Sequence, residues 1–212
     1  MEPKKISKSV LKRLPGYLAY LKNLPETAPD HISATALANA LGMGEVQVRK
    51  DLAMVSDGGR PKVGYLRESL IEDIEQFLGY DNTTDAVLIG AGKLGQALMD
   101  HKGFPEYGLN ILAGFDIKPE KNATDDGCPI YPMEKLESFC HANKVLMGII
   151  CVPAPYAQAV CDKLIACGIK AIWTFAPTHL EVPEHILVQY ENMATSLAVL
   201  SMHLQAQIKE KK

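Results

Sequence analysis

The chain has 212 residues, of which 47% are hydrophobic and 22% are charged. These proportions exclude a wholly disordered protein, and the length suffices for one large domain or two small ones with a sizeable core. The net charge of −3 is unevenly spread, since residues 1–64 carry 10 Lys and Arg against 6 Asp and Glu, whereas residues 65–212 carry 12 against 19. A basic head on an acidic body hints at a nucleic-acid contact at one end; ordinary variation in surface charge is the alternative.

The N-terminus, the apolar runs and the cysteines indicate the cellular compartment in which the protein is expected. The N-terminal lysines have no apolar stretch behind them, which argues against a signal peptide. Apolar runs such as 145–155 are far shorter than the ~20 residues of a membrane span. Five scattered cysteines include no Cys-x-x-Cys pair. We therefore expect no membrane contact, no disulfide framework and no metal site, and a reducing cytoplasm.

The first helices are predicted from apolar spacing. Residues 6–24 have a helical pattern interrupted at Pro15–Gly16, where we expect a break because proline disrupts a helix interior. A loop covers 25–30. Ser33 or Thr35 can then cap a short helix that ends near Asn39.

A helix-turn-helix pattern follows. Residues 41–44 read Leu-Gly-Met-Gly and predict a turn, and a second helix runs from about Gly44 to Val55. Its buried stripe is Val48, Leu52 and Val55, and its opposite face carries Gln47, Arg49, Lys50, Ala53 and Met54. Such a second helix can lie in the major groove of DNA. Any helical hairpin with solvated charges has the same spacing, so both interpretations stay open here.

The next segment, 57–64, reads DGGRPKVG and predicts a hairpin whose two glycines form the turn. Arg60 and Lys62 stand near its tip. A basic hairpin directly after a recognition-type helix is typical of a winged helix, whose wing contacts phosphates or the minor groove. A surface hairpin with two solvated bases is the alternative.

An amphipathic helix at 67–78, closed by Gly79, and a polar linker at 81–85 place a domain boundary near residue 80. Beyond it, strands and helices alternate, which predicts a parallel sheet with helices on both faces. The strands are predicted at 86–89, 111–115, 145–152 and 170–175, and the helices at 93–102, 133–143 and 156–167.

The strongest single motif is Gly-Ala-Gly-Lys-Leu-Gly at 90–95, between a predicted strand and a predicted helix. In this context Gly90 allows the tight turn, Gly92 admits a pyrophosphate, and Gly95 lets helix and strand pack closely. Asp116 ends the next strand, 21 residues after Gly95. Its carboxylate suits an adenosine ribose and repels a 2′-phosphate, which favours NAD(H) over NADP(H). A structural turn without a ligand is the alternative.

Two further loops follow predicted strands, where ligands bind in open α/β sheets. One contains Cys151, Val152 and Pro153, and the other contains Phe175. Cys151 could be read as a nucleophile, but no histidine or lysine lies beside it in sequence, which favours inert burial. No Ser/His/Asp or metal-spaced cluster is present, and the sheet uses nearly all of the second domain, so we expect no catalytic residue.

The last predicted helix, about 192–208, carries an apolar stripe. The stripe consists of Met193, Leu197, Leu200, Leu204 and Ile208. A stripe at this position can cover its own domain or another subunit, and periodicity does not decide between them.

Several segments together resemble the Rex family of redox-sensing transcriptional repressors. In chain order they are VQVRKDL (46–52), VGY (63–65), GAGKLGQAL (90–98), GF (103–104), GFDIKPEK (114–121), VP (152–153), AQAV (157–160), GIKAIWTFAP (168–177) and LEVP (180–183). The resemblance implies an α/β chain: a winged-helix DNA-binding domain (1–80), a Rossmann-like doubly wound parallel sheet domain that binds NAD(H) (81–191), and a dimerisation helix exchanged between subunits (192–212). It further implies a homodimeric repressor on an inverted-repeat operator of double-stranded DNA, released by NADH.

The resemblance also implies site residues. Those expected at the cofactor are Gly90, Ala91, Gly92, Lys93, Leu94, Gly95, His101, Asp116, Ile117, Lys118, Cys151, Val152, Pro153, Thr174 and Phe175. Those expected at DNA are Gln47, Arg49, Lys50, Met54, Arg60 and Lys62.

The chain departs from the family pattern at positions linked to redox switching. His101 replaces a tyrosine expected near the nicotinamide, Asn192 an aspartate that opens the last helix, and Ala19 an arginine of the first helix. The wing, which in the family usually reads Gly-Lys/Arg-Arg-Gly, reads Gly59-Arg60-Pro61-Lys62 here, and Thr174 replaces an asparagine. The leading hypothesis is therefore an NAD(H)-responsive repressor without catalysis. The alternatives are a Rex-like regulator with little or no redox response and a small NAD-dependent oxidoreductase.

Overall fold

The computed structural model describes residues 7–210, which form two units that divide between Asn82 and Thr83. Residues 1–6, considered above for a leader, and residues 211–212, the end of the segment expected as the dimerisation helix (192–212), lie outside the described part. The first unit contains α1 (Lys8–Lys22), β1 (His31–Ile32), α2 (Ala34–Leu41), α3 (Glu45–Val55), β2 (Tyr65–Leu66) and α4 (Arg67–Leu78).

Helix α1 is continuous, so the predicted break at Pro15–Gly16 is wrong. Proline costs the helix one backbone hydrogen bond. Here Leu14, Tyr17 and Leu18 are buried in the core of the first unit. Burying such side chains contributes about 1.5–3 kcal/mol each, which outweighs the local preference for a break.

The predicted turn between α2 and α3 is present. Both ends of helix α2 carry residues that favour a helix end. Ser33 caps α2, since its hydroxyl accepts from the Ala36 N–H at 3.0 Å. Gly42 ends α2 in the left-handed conformation (φ +63°), which glycine adopts without strain. On α3, Val48 and Leu52 are fully buried and Val55 is half-buried. Asp51 is buried as well, which the hydrophobic pattern did not predict.

The hairpin at 57–64 forms, but its turn is not at the glycine pair. Arg60 and Gly64 exchange two backbone hydrogen bonds of 2.9 Å, which leaves residues 61–63 as the tip. Gly59 instead packs on Tyr65, whose ring lies 2.7 Å from where a Cβ would stand. Gly64 has a φ of +91° and lies against the Ile32 carbonyl. Gly59 and Gly64 therefore serve tertiary packing, and the chain turns between them at residues 61–63.

Helix α4 and its terminal Gly79 (φ +74°) follow the prediction. Strand β2 pairs antiparallel with β1, so a small two-stranded sheet joins the start of α2 to the end of the wing. The two-residue β1 was not predicted, because it is too short to show any periodicity.

The second unit is a six-stranded sheet with helices on both faces, as predicted. Its elements are β3 (Thr84–Ile89), α5 (Lys93–Met99), β4 (Leu109–Asp116), β5 (Ile130–Pro132), α6 (Leu136–Asn143), β6 (Met147–Ile150), α7 (Ala154–Ala166), β7 (Ala171–Thr174), β8 (Leu187–Tyr190) and α8 (Met193–Glu210). The strand order is β5-β4-β3-β6-β7-β8, and every pairing is parallel. Strands β5 and β8, at the two edges, were missed.

The two faces of this sheet are covered unequally. On one face, α6 and α7 bury a large core that includes Phe115, Ile150 and Ile172. On the other face, the buried core shrinks to Ala86, Leu88 and Ile149, against which α5 packs through Leu98 and Met99. Toward β8 this second face is open, and Leu187 is 71% exposed.

Helix α8 has no buried residue along its described length. Leu197 and Leu200, from the predicted stripe, are 63% and 65% exposed. Exposed leucines at this spacing mark an interaction surface rather than an ordinary solvent face. Across residues 7–210, no helix combines the length and apolar character that a membrane crossing requires.

Candidate functional site

The register of the sheet brings the predicted ligand loops together. Ile89 lies opposite Phe115 of β4 and Ile150 of β6. The residues that follow these three in the chain are Gly90, Asp116 and Cys151, respectively. The three loops therefore leave the sheet side by side at its carboxyl edge. Ligands bind at this edge in open α/β sheets.

Each glycine of the 90–95 motif meets a different constraint. Gly90 has a φ of +97°, and a Cβ there would stand 2.8 Å from the Cys151 carbonyl oxygen. A Cβ at Gly95 would stand 2.1 Å from the Gly90 oxygen, so Gly95 allows helix α5 to approach the strand. No atom lies within 4 Å of a Cβ built on Gly92. Gly92 therefore faces open space, into which a ligand can come close to the backbone.

The start of α5 adds polar groups beside this open space. Gly92 is the residue that precedes the helix and offers no capping side chain, while Lys93 and Leu94 in the first turn are exposed. Free N–H groups at a helix start favour phosphate oxygens. Ala91 is buried, and its N–H is used elsewhere.

The carboxylate of Asp116 accepts the hydrogen bond from the Ala91 N–H. Its carboxylate oxygens accept from the Ala91 N–H at 2.9 Å and from the Lys118 N–H at 3.0 Å. The side chain thereby ties the end of β4 to the glycine loop. A carboxylate has about four lone-pair sites, so both oxygens keep capacity for ribose hydroxyls.

A cavity of about 450 Å³ opens in front of the glycine loop, a size typical of small-molecule sites. It gathers seven predicted cofactor residues, and Met133, Tyr156 and Lys163 in addition: its lining is Ile89, Gly90, Gly92, Phe115, Asp116, Ile117, Met133, Cys151, Val152, Pro153, Tyr156, Ala159, Val160 and Lys163. Lys93 and Lys118 line a second cleft of about 310 Å³ on the Ala91 side of the loop.

Cys151 lies in this cavity, but its environment argues against a nucleophile. Burial raises the pKa of its thiol to about 12. A thiol with that pKa is protonated at neutral pH and is not reactive. Among the described residues, no group of three or more His, Cys, Asp and Glu side chains could hold a metal ion.

In the first unit, the predicted DNA-contacting residues lie on α3 and the wing. Gln47, Arg49 and Lys50 are exposed, and Arg49 pairs with Glu45 one turn earlier. Met54 is half-buried and packs on the core of the unit, so its place in the exposed face was only partly right. Arg60 and Lys62 are exposed on the wing.

A charged network that the sequence did not predict lies behind α3. Arg13 of α1 donates to the two carboxylate oxygens of Asp51, from Nε at 2.7 Å and from Nη2 at 2.8 Å. The Tyr17 hydroxyl also donates to Asp51, at 2.8 Å. Hydrogen bonding to Asp51 raises the pKa of Arg13, and burial followed by the bond to Asp51 raises the pKa of Tyr17 to about 12. Arg13 and Tyr17 lie four residues apart on α1, a spacing that places both on one helix face.

Comparison with known proteins agrees with both units. The N-terminal segment 5–53 matches the model described as "Putative DNA-binding protein N-terminus", and 81–178 matches "CoA binding domain". A "Redox-sensing transcriptional repressor Rex" from Porphyromonas gingivalis is 39% identical over 92% of this chain and 90% of its own length. One of the same name from Clostridium perfringens is also 39% identical, over 94% of this chain and 95% of its own length.

The chain belongs to the Rex family. Solved structures support this at the level of the fold: the Rex-family repressor RSP is 33% identical and covers 99% of this chain, with TM-scores of 0.88 for its complex with β-NAD+ and operator DNA and 0.82 for its complex with β-NADH. These alignments cover 97% and 100% of the respective RSP chains.

His101 and Phe175 belong to a row of aromatic side chains on the less covered face of the sheet. His101 contacts Phe104 (4.6 Å between ring centroids), Phe104 contacts Trp173 (5.8 Å), and Trp173 contacts Phe175 (4.8 Å). His101 and Phe175, both expected at the cofactor, are thus the two ends of one row. Neither lines the 450 Å³ cavity.

The other altered Rex positions have local roles. Thr174 is fully buried and its hydroxyl accepts from the Ala176 N–H at 3.2 Å, so it presents no surface to a cofactor, contrary to prediction. A strand residue pointing into the core is sealed by the helices that pack on it. Asn192 caps α8, since its side-chain oxygen accepts from the Thr195 N–H at 3.1 Å. Ala19 is exposed on α1.

Proposed function

We propose that this chain is a homodimeric repressor that binds an inverted-repeat operator through α3 and the wing, and that NADH lowers its affinity for DNA. The observation that carries the proposal is the pairing, in one chain of a redox-sensing repressor family, of an open glycine-loop cavity with a helix face that exposes Gln47, Arg49 and Lys50. The 33% identical repressor RSP, whose structures are described with β-NAD+, with β-NADH and with operator DNA, supports the same pairing.

NAD(H) would lie across the carboxyl edge of the sheet. Its pyrophosphate would pass Gly92 and the start of α5, and its adenosine ribose would bind Asp116. Asp116 would also repel the 2′-phosphate of NADP(H). The apolar cavity beyond Asp116, with Ile117 and Tyr156 on its walls, would receive the adenine ring.

The dimer would join two surfaces that a single chain leaves exposed. One is the apolar stripe of α8, and the other is the open side of the sheet near Trp173 and Leu187. Each is apolar, and each would be buried if α8 of one subunit packed on the sheet of the other. Two α3 helices could then reach successive major grooves, about 34–36 Å apart.

Disrupting α8 tests this dimer. The double substitution Leu197→Glu and Leu200→Glu is expected to yield monomers, because it would bury two carboxylates without partners. Sedimentation measures the mass, and operator affinity should fall together with dimerisation. The matched control is Ala206→Glu, which adds one charge to the exposed face of α8 opposite the apolar stripe and should leave a dimer; monomeric wild-type protein would contradict the proposal.

We also propose that the chain acts without catalysis, in the bacterial cytoplasm, where its operator lies. The protonated thiol of Cys151 supports a non-catalytic cavity. The rival function, a small oxidoreductase, predicts loss of NADH absorbance when a carbonyl substrate is added to the protein. We expect no turnover with aldehydes, ketones or 2-oxo acids.

The switch positions predict a weakened redox response. In the Rex pattern a tyrosine, an aspartate and an arginine connect the nicotinamide pocket, the exchanged helix and the first helix, and here they are His101, Asn192 and Ala19. Asn192 has no charge to offer an arginine, and Ala19 offers no partner. We therefore expect NADH and NAD+ to differ in their effect on DNA affinity by less than the ~1–3 kcal/mol usual for allosteric coupling.

The measurement is a gel shift on an inverted-repeat operator with NADH and NAD+ titrated separately. It also tests the proposed function as a whole, because a chain that retards no operator under either condition is not this repressor. A difference of more than about a hundredfold, ~2.7 kcal/mol, between the saturating cofactors would show that other residues carry a full switch.

Helix α3 and the wing are expected to contribute differently. Lys50→Ala should cost about 1–3 kcal/mol on the true operator and relax its base preference, since Lys50 lies at the centre of the exposed face. Lys62→Ala should weaken binding to all sequences alike and lower the salt slope by about one unit, since it would remove one phosphate contact. Titrations on operator and unrelated DNA at several salt concentrations separate the two. A base-specific effect of Lys62→Ala would reverse the assignment.

A further inference from the structure

Arg13 touches two residues of α3 that lie one helical turn apart. Its guanidinium is held by the buried Asp51 through two hydrogen bonds of 2.7 and 2.8 Å. In the amide orientation that sets an acceptor against these donors, the oxygen of Gln47 accepts from Nη1 at 3.0 Å and from Nη2 at 3.3 Å. The opposite orientation would place the amide N–H groups against the guanidinium N–H groups, donor against donor.

This arrangement is rigid on the protein side. The side chain of Asp51 is 4% exposed, and that of Arg13 is 19% exposed. The Tyr17 hydroxyl gives Asp51 a third hydrogen bond, at 2.8 Å. Because guanidinium is planar and its donors have a fixed fork geometry, a bidentate bond to Asp51 also fixes the direction of the Nη1 donors that face Gln47.

We infer that Arg13 is a positioning residue for base recognition: it engages the Gln47 oxygen, so that α3 presents the Gln47 amide to DNA as a hydrogen-bond donor only. The inference rests on the proposed DNA-binding function and names a specificity within it. Arg13 itself lies behind the exposed face and need not contact a base.

The consequence is a particular base preference. In the major groove guanine offers two acceptors, O6 and N7, whereas adenine sets an N6 donor beside its N7 and cytosine offers an N4 donor. A donor-only amide therefore fits guanine best. A glutamine with both its oxygen and nitrogen free instead pairs with N6 and N7 of adenine. Arg13 would thus move the preference of Gln47 from adenine to guanine.

The test uses the full chain and a pool of duplex DNA with a randomised inverted repeat. Sequences are selected with wild type and with Arg13→Lys, which keeps the charge beside Asp51 but has no fork to hold Gln47. The expected result is that one position in each half-site changes from guanine to adenine, by about tenfold in relative affinity, the lower range for one bidentate base contact. The shift should vanish in the double variant Arg13→Lys with Gln47→Ala.

Two further variants separate orientation from general damage. Tyr17→Phe removes one hydrogen bond from Asp51 and leaves the contact between Arg13 and Gln47, so its selected sequence should match that of wild type. Gln47→Glu presents only oxygens, and its preference at the same position should move to cytosine. Thermal unfolding of each variant shows that it is folded. If Arg13→Lys does not fold, the base that wild type selects at the position where Gln47→Ala loses its preference decides the donor assignment: guanine there supports it, and adenine there overturns it.

An unchanged consensus for folded Arg13→Lys would overturn the inference, and so would a loss of preference spread evenly over the half-site. Failure of wild type to enrich any sequence would instead overturn the proposed DNA-binding function on which the inference rests.

Discussion

Replacing Gly92 with valine is expected to abolish NADH binding and to leave the protein folded. No protein atom stands within 4 Å of the position its Cβ would take, and its backbone (φ −72°, ψ −169°) is an extended conformation that valine adopts readily. The new side chain would instead occupy the space through which the pyrophosphate must approach. We expect a loss of more than about 2 kcal/mol in binding, a factor of thirty or more in Kd.

Calorimetry with NADH and thermal unfolding measure the two effects separately. Gly95→Ala is the matched contrast, because its Cβ would lie 2.1 Å from a backbone oxygen and should destabilise the second unit by about 1–3 kcal/mol. Asp116→Ala should weaken NADH by about 1–2 kcal/mol, part of it through the glycine loop that Asp116 holds at Ala91. Wild-type affinity for NADH in folded Gly92→Val would contradict the placement of the cofactor.

Replacing Asp51 with alanine is expected to destabilise the first unit strongly. It would leave the Arg13 guanidinium without its bidentate partner and the buried Tyr17 hydroxyl without its acceptor. Removing one member of a buried ion pair costs about 3–5 kcal/mol. Trp173, the only tryptophan, lies in the second unit. In a denaturant titration the helical signal of the first unit should therefore be lost earlier, while the transition in Trp173 fluorescence stays in place.

Two further substitutions, Arg49→Ala and Tyr17→Phe, serve as controls for the loss of stability expected in Asp51→Ala. Arg49→Ala removes the exposed pair with Glu45, and exposed pairs contribute at most about 1 kcal/mol. Tyr17→Phe should cost about 1 kcal/mol, the value of one hydrogen bond. Tyr17 should also contribute to alkaline unfolding: its pKa rises from 10 to about 12 on folding, so the stability it adds is complete below pH 10 and is lost as the pH rises toward 12. An Asp51→Ala protein within about 1 kcal/mol of wild type would show that the network is not structural.

The sequence alone predicted those parts of the molecule that depend on neighbouring residues. The helix end at Gly79 follows from the need for a left-handed backbone. The turn around Gly42 was predicted too, although the helix before it runs to Leu41, two residues beyond its expected end near Asn39. The central strands show as apolar runs because both faces are buried. The glycine loop and Asp116 were predicted because their roles depend on local backbone shape and on fixed spacing.

The rest of the cavity needed the tertiary structure. Met133 comes from the end of the missed strand β5, while Tyr156 and Lys163 come from α7, more than 35 residues after Asp116 along the chain. No spacing rule connects these segments, because loop lengths between strands vary freely. The burial of Thr174 likewise depends on the helices packed over its strand, which its own neighbours do not reveal.

What the sequence by itself determined was the division into two domains of different pattern, the parallel sheet, the phosphate loop and the basic helix with its wing, since each is encoded in a contiguous stretch of residues. The tertiary structure alone decided that Pro15 stays inside a helix, where the turn of the wing falls, and that Arg13, Tyr17 and Asp51 meet. In each case the outcome depends on contacts between residues distant in the chain. Packing outweighs the local preference at Pro15 and in the wing, and side-chain hydrogen bonds join Arg13, Tyr17 and Asp51.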